Sequence, residues 1–588
     1  MVKIPIEPID RATPIHSFIN CMKVKRFLIK TVIGLLLGGG AFVVYAQDAG
    51  TLQRELQLQL ERQSPPIPFQ PQKPTEPIPV NPEESKTAVK GFEFKGNTLL
   101  TEAQLQAAVK PWSNTLISFS ELKNVTAAIQ NLYIQNHRIA KVSIPPQEIK
   151  DGIILLEIIE GKMGSVIFTP PKEGVKLRAD VDNLKRYIRT RKDGSQYIDS
   201  QPLERAIALV NELPGVVVTG EFEQGDSLGQ SNFRINVNDG PLLSTSVALS
   251  NYGSTSTGIF QANASLNLNN PMGYGDQVTL DALQSLGSSY VQLGYSLPVG
   301  YDGWRTGVQA SYLTFHTLTS AIPTLGNATT VGVNASYALL RNPGNSATLR
   351  FSMDDKNYEN NQAGENISKY QITSLSAAVN GNFSDSTHSV INYSLTLTSG
   401  NIKIINDTQA EQDLSGPITV GRYNKLGYNV SRTQELSFLP KTSGLISAYG
   451  QFADKNLNSA EQMYIGGTYA VRAYPVSQGG GSQGVVISSE LQYRLDEKWQ
   501  LGTFADLGVV KQYVNTYSNW QGLTRANNTY PLGAVGATAK YTLGRWGASA
   551  IVAFRVGQNP LYNSSGLHLN ADSEYRYVQG WIRASYAF

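Results

Sequence analysis

The fold is decided by the stretch Trp499-Gln500-Leu501-Gly502-Thr503-Phe504-Ala505-Asp506-Leu507-Gly508, in which apolar residues alternate with polar or small ones. A period of two residues is that of a β-strand whose two faces meet different surroundings. One face carries Trp499, Leu501, Ala505 and Leu507, with Thr503 as its polar member. The other face carries Gln500, Gly502, Phe504, Asp506 and Gly508. Because a charged side chain is costly on the lipid face of a barrel wall, Asp506 is predicted to face a lumen.

The same alternation recurs from about residue 242 onward, for example at Leu349–Asp354, Val291–Leu297 and Ile391–Leu397. Only 16% of the residues are charged, and Gly (53) and Tyr (29) are plentiful, which suits both an outer-membrane barrel and a large soluble all-β protein. At about 20 residues per strand and connection, the region 241–588 predicts a membrane β-barrel of about 16 antiparallel strands.

The two ends of the chain favour the membrane over the soluble alternative. Residues 1–46 read as a signal peptide, in which 23–46 contain a basic region, an apolar core and small residues at a cleavage site. Residues 1–21 extend the basic region unless Met22 is the start, and an uncleaved signal anchor is the alternative, for which the apolar core is short. The one cysteine, Cys21, lies before that site, so the mature chain is predicted to have no thiolate for catalysis or metal binding. At the other end, Tyr586 and Phe588 lie on the apolar face of the last strand. They resemble the C-terminal signal that the outer-membrane insertion machinery reads, which implies that machinery as a partner during biogenesis.

A short helix is predicted at 47–63, because Leu52, Leu56 and Leu60 recur every four residues among polar ones. A helix of this length is marginal by itself, so it needs a place to dock. The following residues, 64–86, are dense in proline, which is typical of an extended linker. A linker of about 3 Å per residue would let the helix move over tens of ångströms.

Residues 87–163 and 164–240 repeat one order of predicted elements, β-α-α-β-β. An internal repeat of this kind indicates two copies of one module. In the first copy a capping box at Thr101 begins a helix, and in the second a helix is predicted at 180–191. The stretches FEFKGNTLLTEAQL (92–105) and LVNELPGVVVTGEFEQG (209–225) resemble POTRA modules. Such modules can pair a sheet edge with an extended peptide, and the alternative is that they are spacers.

A long connection at 453–484 carries Val471-Arg472-Ala473-Tyr474. Long loops of these barrels are extracellular and short turns periplasmic, so this connection is predicted to start outside. Folded inward, it would give Asp506 a positive partner in Arg472, with a bidentate guanidinium–carboxylate geometry. The pair is interpreted as a loop latch that fixes one conformation of a movable loop.

The two motifs are similar to a known pair. Val471-Arg472-Ala473-Tyr474 resembles the Val-Arg-Gly-Tyr/Phe tip of the sixth loop in the POTRA–barrel transporter superfamily, with Ala473 in place of the usual glycine. Phe504-Ala505-Asp506-Leu507-Gly508 resembles the wall motif that receives this tip. The complete layout resembles the two-partner-secretion transporters, which include the haemolysin secretion/activation proteins and the filamentous-haemagglutinin transporter.

This resemblance implies an outer-membrane protein translocase for a large secreted exoprotein. The POTRA modules, in the periplasm, would capture the N-terminal secretion domain of the unfolded cargo, the 47–63 helix would plug the pore, and the barrel would conduct the chain. The barrel is expected to be a monomer surrounded by outer-membrane lipid. The alternative within the superfamily is a barrel-assembly or import factor; a passive solute porin and a barrel enzyme are the further alternatives.

The sequence contains no catalytic set. The histidines outside the signal region are scattered, at His137, His316, His388 and His568. The carboxylates Asp354, Asp355, Glu359 and Glu365 are interpreted as a solvated loop rather than a cation site. With a net charge of +3 and no basic patch, no nucleic acid is expected as a partner, and no metal or cofactor is expected.

Overall fold

A computed structural model describes residues 48–63, 86–169, 176–188, 196–227, 229–385, 389–521, 527–562, 568, 570–572 and 574–588. The predicted signal peptide, Cys21, His388 and all of the predicted linker except Lys86 lie outside these residues. Within the described ranges, none of the helices has the length and apolar character needed to span a bilayer.

A helix and two small α+β modules precede the large sheet. The helix is α1 (Ala49–Gln63). The first module contains β1 (Thr87–Val89), β2 (Gly91–Lys95), α2 (Glu102–Val109), β3 (Thr115–Ile117), α3 (Phe119–Gln135), β4 (Ala140–Ser143) and β5 (Ile153–Glu160). The second contains β6 (Lys162–Thr169), α4 (Val181–Lys185), α5 (Ser200–Asn211), β7 (Val216–Gln224) and β8 (Gln230–Asp239). The sheet orders β2-β5-β4 and β6-β8-β7 are equivalent, each with a parallel and an antiparallel pair, so the structure contains the predicted repeat.

Local sequence explains where the module helices begin. Thr101 forms a capping box with Gln104 at the start of α2, and Ser118 forms another with Glu121 at the start of α3. The second module departs from the prediction, because α4 ends at Lys185 instead of continuing to residue 191. The two residues after it, Arg186 and Tyr187, contact Tyr301 of the barrel, so a tertiary contact replaces the next helical turn.

A buried carboxylate of the first module lies beside the contact between the two modules. Glu160 accepts hydrogen bonds from the backbone N–H groups of Thr98 (2.8 Å) and Leu99 (2.7 Å) and from the Tyr133 hydroxyl (2.8 Å). Burial raises the pKa of Glu160, but these hydrogen bonds outweigh burial and hold the pKa below its usual value. The Thr98 hydroxyl also donates to the Tyr197 hydroxyl of the second module (3.2 Å), so a hydrogen bond links the two modules.

Sixteen antiparallel strands close into a barrel, in which the last strand pairs with the first. In chain order they are β9 (Leu243–Ser250), β10 (Gln261–Asn269), β11 (Gln277–Gln284), β12 (Ser288–Val299), β13 (Trp304–His316), β14 (Thr324–Asn342), β15 (Asn345–Gln362), β16 (Glu365–Ser384), β17 (Ser389–Ile404), β18 (Gly421–Glu435), β19 (Thr442–Ala453), β22 (Gln483–Arg494), β23 (Trp499–Lys511), β24 (Thr529–Leu543), β25 (Trp546–Val556) and β26 (Val578–Ala587). The intervening β20 (Met463–Tyr464) and β21 (Gly480–Gly481) pair inside a loop, and α6 (Asp407–Leu414) lies between β17 and β18. The predicted barrel and its strand number are confirmed.

The second module packs on one end of the barrel, through the turns β10–β11 and β12–β13 and the end of β14. The backbone N–H of Asp180 donates to Gly273 (3.1 Å), and the Arg186 guanidinium donates to the Tyr301 hydroxyl (2.9 Å). Arg205 donates to the carbonyl of Ala338. The opposite end, which carries the connection between β19 and β22, is called the distal end below.

Strands β14 to β17 continue beyond the membrane at the distal end. They have 19, 18, 20 and 16 residues, whereas about 9–11 residues cross the hydrocarbon core. On β15 the outward row changes from Phe351 and Met353, which are well exposed, to Asp355 and Asn357. The outward row is therefore apolar at membrane height and polar above it.

This extension corrects one sequence interpretation. Asp354, Asp355, Glu359 and Glu365 do not form a solvated loop, because they lie in β15 and β16. The interpretation was wrong for a physical reason. Above the membrane the outer face meets water, so a polar outward row at this height is what a strand requires and does not indicate a loop.

Candidate functional site

The loop between β19 and β22, residues 454–482, folds into the barrel. It contains a 3-10 turn at Ser459–Glu461 and the short pair β20–β21, and its tip at Val471–Tyr474 is almost fully buried. The tip is a tight turn, in which the N–H of Tyr474 donates to the carbonyl of Val471 (3.1 Å). This loop 454–482 therefore occupies the lumen.

Arg472 and Asp506 are in direct contact. The guanidinium donates Nε to Oδ2 (2.9 Å) and Nη2 to Oδ1 (2.8 Å) of the carboxylate, which is the bidentate arrangement. The backbone N–H of Arg472 donates to the same carboxylate at 3.1 Å. Arg472 is 7% exposed and Asp506 4%, so the pair is shielded from water.

Four strands contact the loop tip, three of them at Arg472 and one at Tyr474. Nη1 donates to Glu490 of β22 (2.8 Å), and the guanidinium lies 3.4 Å from the centroid of the Phe504 ring on β23. The indole N–H of Trp581 on β26 donates to the Arg472 carbonyl (2.8 Å). On β25, the Arg555 guanidinium lies 4.5 Å from the Tyr474 ring centroid. The tip is thus held to one wall of the barrel, from β22 to β26.

Two small residues allow the tip to fit. Ala473 is 1% exposed and its backbone is not in the left-handed region, so the turn accepts a residue with a Cβ where the superfamily usually has glycine. Gly508 does need to be glycine, because a Cβ there would lie 2.8 Å from a methyl group of Val471. The wall glycine makes room for the tip.

The base of the loop is attached to the other wall. The Glu461 carboxylate forms ion pairs with Lys356 of β15 (2.8 Å) and Lys425 of β18 (2.6 Å). Lys425 also donates to the carbonyl of Glu461 at 2.9 Å. Glu461 is 2% exposed. Loop 454–482 therefore crosses the lumen between two buried charge clusters, one at its base and one at its tip.

Helix α1 lies inside the barrel beside this loop. Leu52 and Leu56 are buried, and Leu60 packs against the same cluster while partly exposed. Gln53 donates to Thr330 (2.9 Å) of the wall, and the Ala49 N–H donates to Asn360 (3.0 Å). The predicted apolar stripe is the face that meets the wall.

The helix also contacts the loop. The hydroxyl of Ser459 donates to Asp48 (2.5 Å), and that of Ser477 donates to Glu55 (2.8 Å). The Thr51 hydroxyl lies 3.0 Å from that of Tyr464. A Cβ on Gly50 would lie 2.7 Å from the Ala460 side chain. The helix therefore shares an interface with the base of the loop and with the segment that follows the tip.

The wall that receives α1 is apolar, although it faces the lumen. We call this surface the apolar collar. It comprises inward side chains near the distal ends of β11 to β19, namely Leu283, Tyr290, Leu313, Phe315, Ala328, Tyr358, Tyr370, Ile372, Ile402, Tyr423 and Ala453. They form a single cluster with the apolar residues of α1 and with Leu457 and Ala460 of the loop.

The last predicted site residues lie on the outside of the barrel. Tyr586 packs against Trp546 (ring centroids 4.7 Å apart) and against Phe588 (4.8 Å). Phe588 is 62% exposed. These aromatic residues form an outward-facing group that does not touch the lumen site.

The sequence reasoning missed several charged partners. Glu490 could have been found, because it is an inward position of the alternating strand β22 and would need a partner for the same reason as Asp506. No comparable sequence pattern pointed to Glu461, Lys356 or Lys425, since only the tertiary fold brings the loop base against β15 and β18. Among the described residues, no three side chains of the types His, Cys, Asp and Glu are placed to hold a metal ion.

Comparisons with known proteins fit this arrangement. The sequence model of the family "Haemolysin secretion/activation protein ShlB/FhaC/HecB" matches residues 229–526, just over half of the chain, and that of the ShlB-type POTRA domain matches 87–161. The heme/hemopexin transporter protein HuxB of Haemophilus influenzae is 25% identical over 524 residues, covering 86% of this chain and 90% of HuxB. The outer membrane transporter CdiB of Dickeya dadantii is 23% identical, covering 70% and 72% of the two chains. The solved structure of CdiB from Escherichia coli has a TM-score of 0.62 at 20% identity, covering 92% of this chain and 99% of that one, and so shares the fold.

Proposed function

This chain belongs to the haemolysin secretion/activation protein family of two-partner-secretion transporters, and from that premise we propose how its parts carry an exoprotein across the outer membrane. In this family the barrel lies in the outer membrane and the POTRA domains lie in the periplasm. The distal end is therefore extracellular.

We assign the parts as follows: signal peptide 1–46, plug helix 47–63, linker 64–86, POTRA domains 87–163 and 164–240, and barrel 241–588 with the inward loop. The start of β6 at Lys162, the first strand of the second β-α-α-β-β copy, supports a division into two POTRA domains in this part of the chain. The chain acts as a monomeric conduit and not as an enzyme. It contacts lipid through its outward apolar rows and takes no nucleic acid, and Tyr586 and Phe588 serve as its insertion signal.

One observation carries the gating proposal: helix α1 fills part of the lumen but belongs to no wall. It is held by side-chain contacts such as Gln53 with Thr330 (2.9 Å) and by burial of Leu52 and Leu56. A docked helix of this length has little stability by itself, so its release costs mainly these contacts. In our proposal the unfolded cargo displaces the helix, passes the loop and folds outside.

Removing the plug tests this directly. Deletion of residues 48–63 is expected to raise the conductance of the purified protein in planar bilayers, because the lumen loses its docked helix. Adding a synthetic 48–63 peptide should lower the conductance again, which is the control that the barrel itself is intact. A deletion variant that conducts like the wild type would contradict the plug role.

We further propose that the periplasmic domains capture the cargo by strand addition at β7. This strand of nine residues lies at the edge of its sheet, and Val217 on it is 46% exposed. Such an edge offers backbone groups to an extended peptide.

A cysteine protection assay tests the capture. With Thr219, an exposed residue of β7, replaced by cysteine, the N-terminal domain of the cargo should slow alkylation. The matched variant Glu102→Cys, on the exposed start of α2, should react at an unchanged rate. Equal protection at both positions, or at neither, would rule out capture at β7.

A further inference from the structure

The apolar collar runs against the usual polarity of a barrel lumen. Barrels of this class are apolar outside and polar inside. Strands β15, β16 and β17 follow that rule at membrane height and reverse it above. On β16, for example, Leu375 points outward and Ser374 inward, whereas one step higher Gln371 points outward and Ile372 inward. The distal parts of these strands thus have an outer face that meets water and an apolar inner face.

Among the described residues, helix α1 and the loop residues Leu457 and Ala460 pack against this apolar inner face. The collar side chains Ile372 and Ile402 are at most 1% exposed, as are Leu52 and Leu56 of the helix that packs in the same cluster. When the helix leaves, the collar would face water, which is unfavourable in proportion to the apolar area uncovered. The extended chain that then fills the lumen is the available cover.

We propose that the apolar collar is a binding site for apolar and aromatic side chains of an extended polypeptide, occupied by helix α1 until cargo replaces it. The proposal rests on the gating role of α1 given above. The helix shows the chemistry that the site accepts, since it combines leucine side chains with hydrogen bonds to Ser311, Thr330 and Asn360 between them.

An extended polypeptide offers the same combination of apolar side chains and hydrogen-bonding groups. Its alternate side chains lie on one face, about 6.5 Å apart. The collar supplies aromatic partners for such side chains, for example Tyr358 and Tyr370, which are stacked on adjacent strands with ring centroids 4.8 Å apart. A cargo segment in which apolar and polar residues alternate would place its apolar face on the collar and its polar face toward the lumen.

The test uses the full chain with a weakened plug, Leu52→Asp with Leu56→Asp, in planar bilayers. Two neutral synthetic peptides of 12 residues serve as probes: one alternates Val or Tyr with Ser, and the other replaces every Val and Tyr with Asn or Thr. The alternating peptide is expected to block the current with at least a tenfold longer dwell time. Adding Ile372→Ser and Ile402→Ser should remove most of that difference.

A matched control separates the collar from general effects on the strands. Gln371→Ser and Lys403→Ser alter outward neighbours on the same two strands, so the dwell times should stay as in the parent channel. The collar proposal is overturned if the two peptides have equal dwell times, or if their difference remains after the Ile372 and Ile402 substitutions. In either case a raised current still supports the plug role of α1. If the weakened plug gives no raised current, both proposals fall, because the collar is then never vacated.

Discussion

Replacement of Arg472 by alanine is expected to reduce secretion of the cargo at least tenfold while the barrel still inserts in the membrane. The substitution removes a buried cation that neutralises two carboxylates, Asp506 at 2.8 Å and Glu490 at 2.8 Å. Breaking a buried pair from one side costs about 3–5 kcal/mol, because the remaining charges stay desolvated. This free energy destabilises the conformation in which the loop tip is bound to the wall. It lowers the population of that conformation, relative to the released one, by about a hundredfold or more.

Secreted cargo is measured in the medium, and barrel folding by heat-modifiable migration of the outer-membrane protein. Arg472→Lys keeps the charge but loses the bidentate geometry, so an intermediate level of secretion is expected. Arg422→Ala, at an exposed position of β18, should secrete normally. Wild-type secretion by a folded Arg472→Ala protein would show that the tip contact is dispensable and would refute the latch.

Replacement of Glu461 by glutamine is expected to open the resting pore. The carboxylate lies between Lys356 and Lys425, whose side chains are 16% and 9% exposed. Without it, two buried ammonium groups lose their counter-charge, a loss again of about 3–5 kcal/mol. The base of the loop should loosen, and with it the contacts that Ser459 and Tyr464 make to the first turn of α1.

The expected readout is a raised current through the Glu461→Gln protein in planar bilayers, smaller than that of the deletion of 48–63. The matched control is Glu359→Gln on β15, which removes an outer, partly exposed pair with Lys369 (3.2 Å). An exposed pair contributes about 0–1 kcal/mol, so the control should stay closed. Adding Lys356→Gln to Glu461→Gln should restore part of the closure. If the resting current of the Glu461→Gln channel equals that of the control, the base cluster does not retain the plug.

The two charge clusters give the loop different expected roles. The tip cluster joins the loop to β22 and β23, whereas Ser459, a neighbour of the base cluster, contacts the start of the helix directly. Substitutions at the tip are therefore expected to act mainly on secretion, and substitutions at the base mainly on the resting current.

The sequence by itself determined the barrel, the repeated modules, helix α1 and the contact between Arg472 and Asp506. Each of these depends on a local pattern: a period of two along β23, a period near four at Leu52 and Leu56, and a buried acid that needs a cation. The same logic applied to β22 would have given Glu490.

Only the tertiary structure decided which wall residues meet the loop base and the helix. Glu461, Lys356 and Lys425 are far apart in the chain, and closure of the barrel together with the inward fold of the loop brings them within 2.8 Å. The distal extension of β14 to β17 could not be predicted from the sequence for a related reason. A polar outward row such as Asp355 and Asn357 has the composition of a loop until its partner strand and the apolar inward row are known. Sequence periodicity specifies two faces of a strand, but the surroundings that each face meets at a given height depend on what lies beside it in the fold.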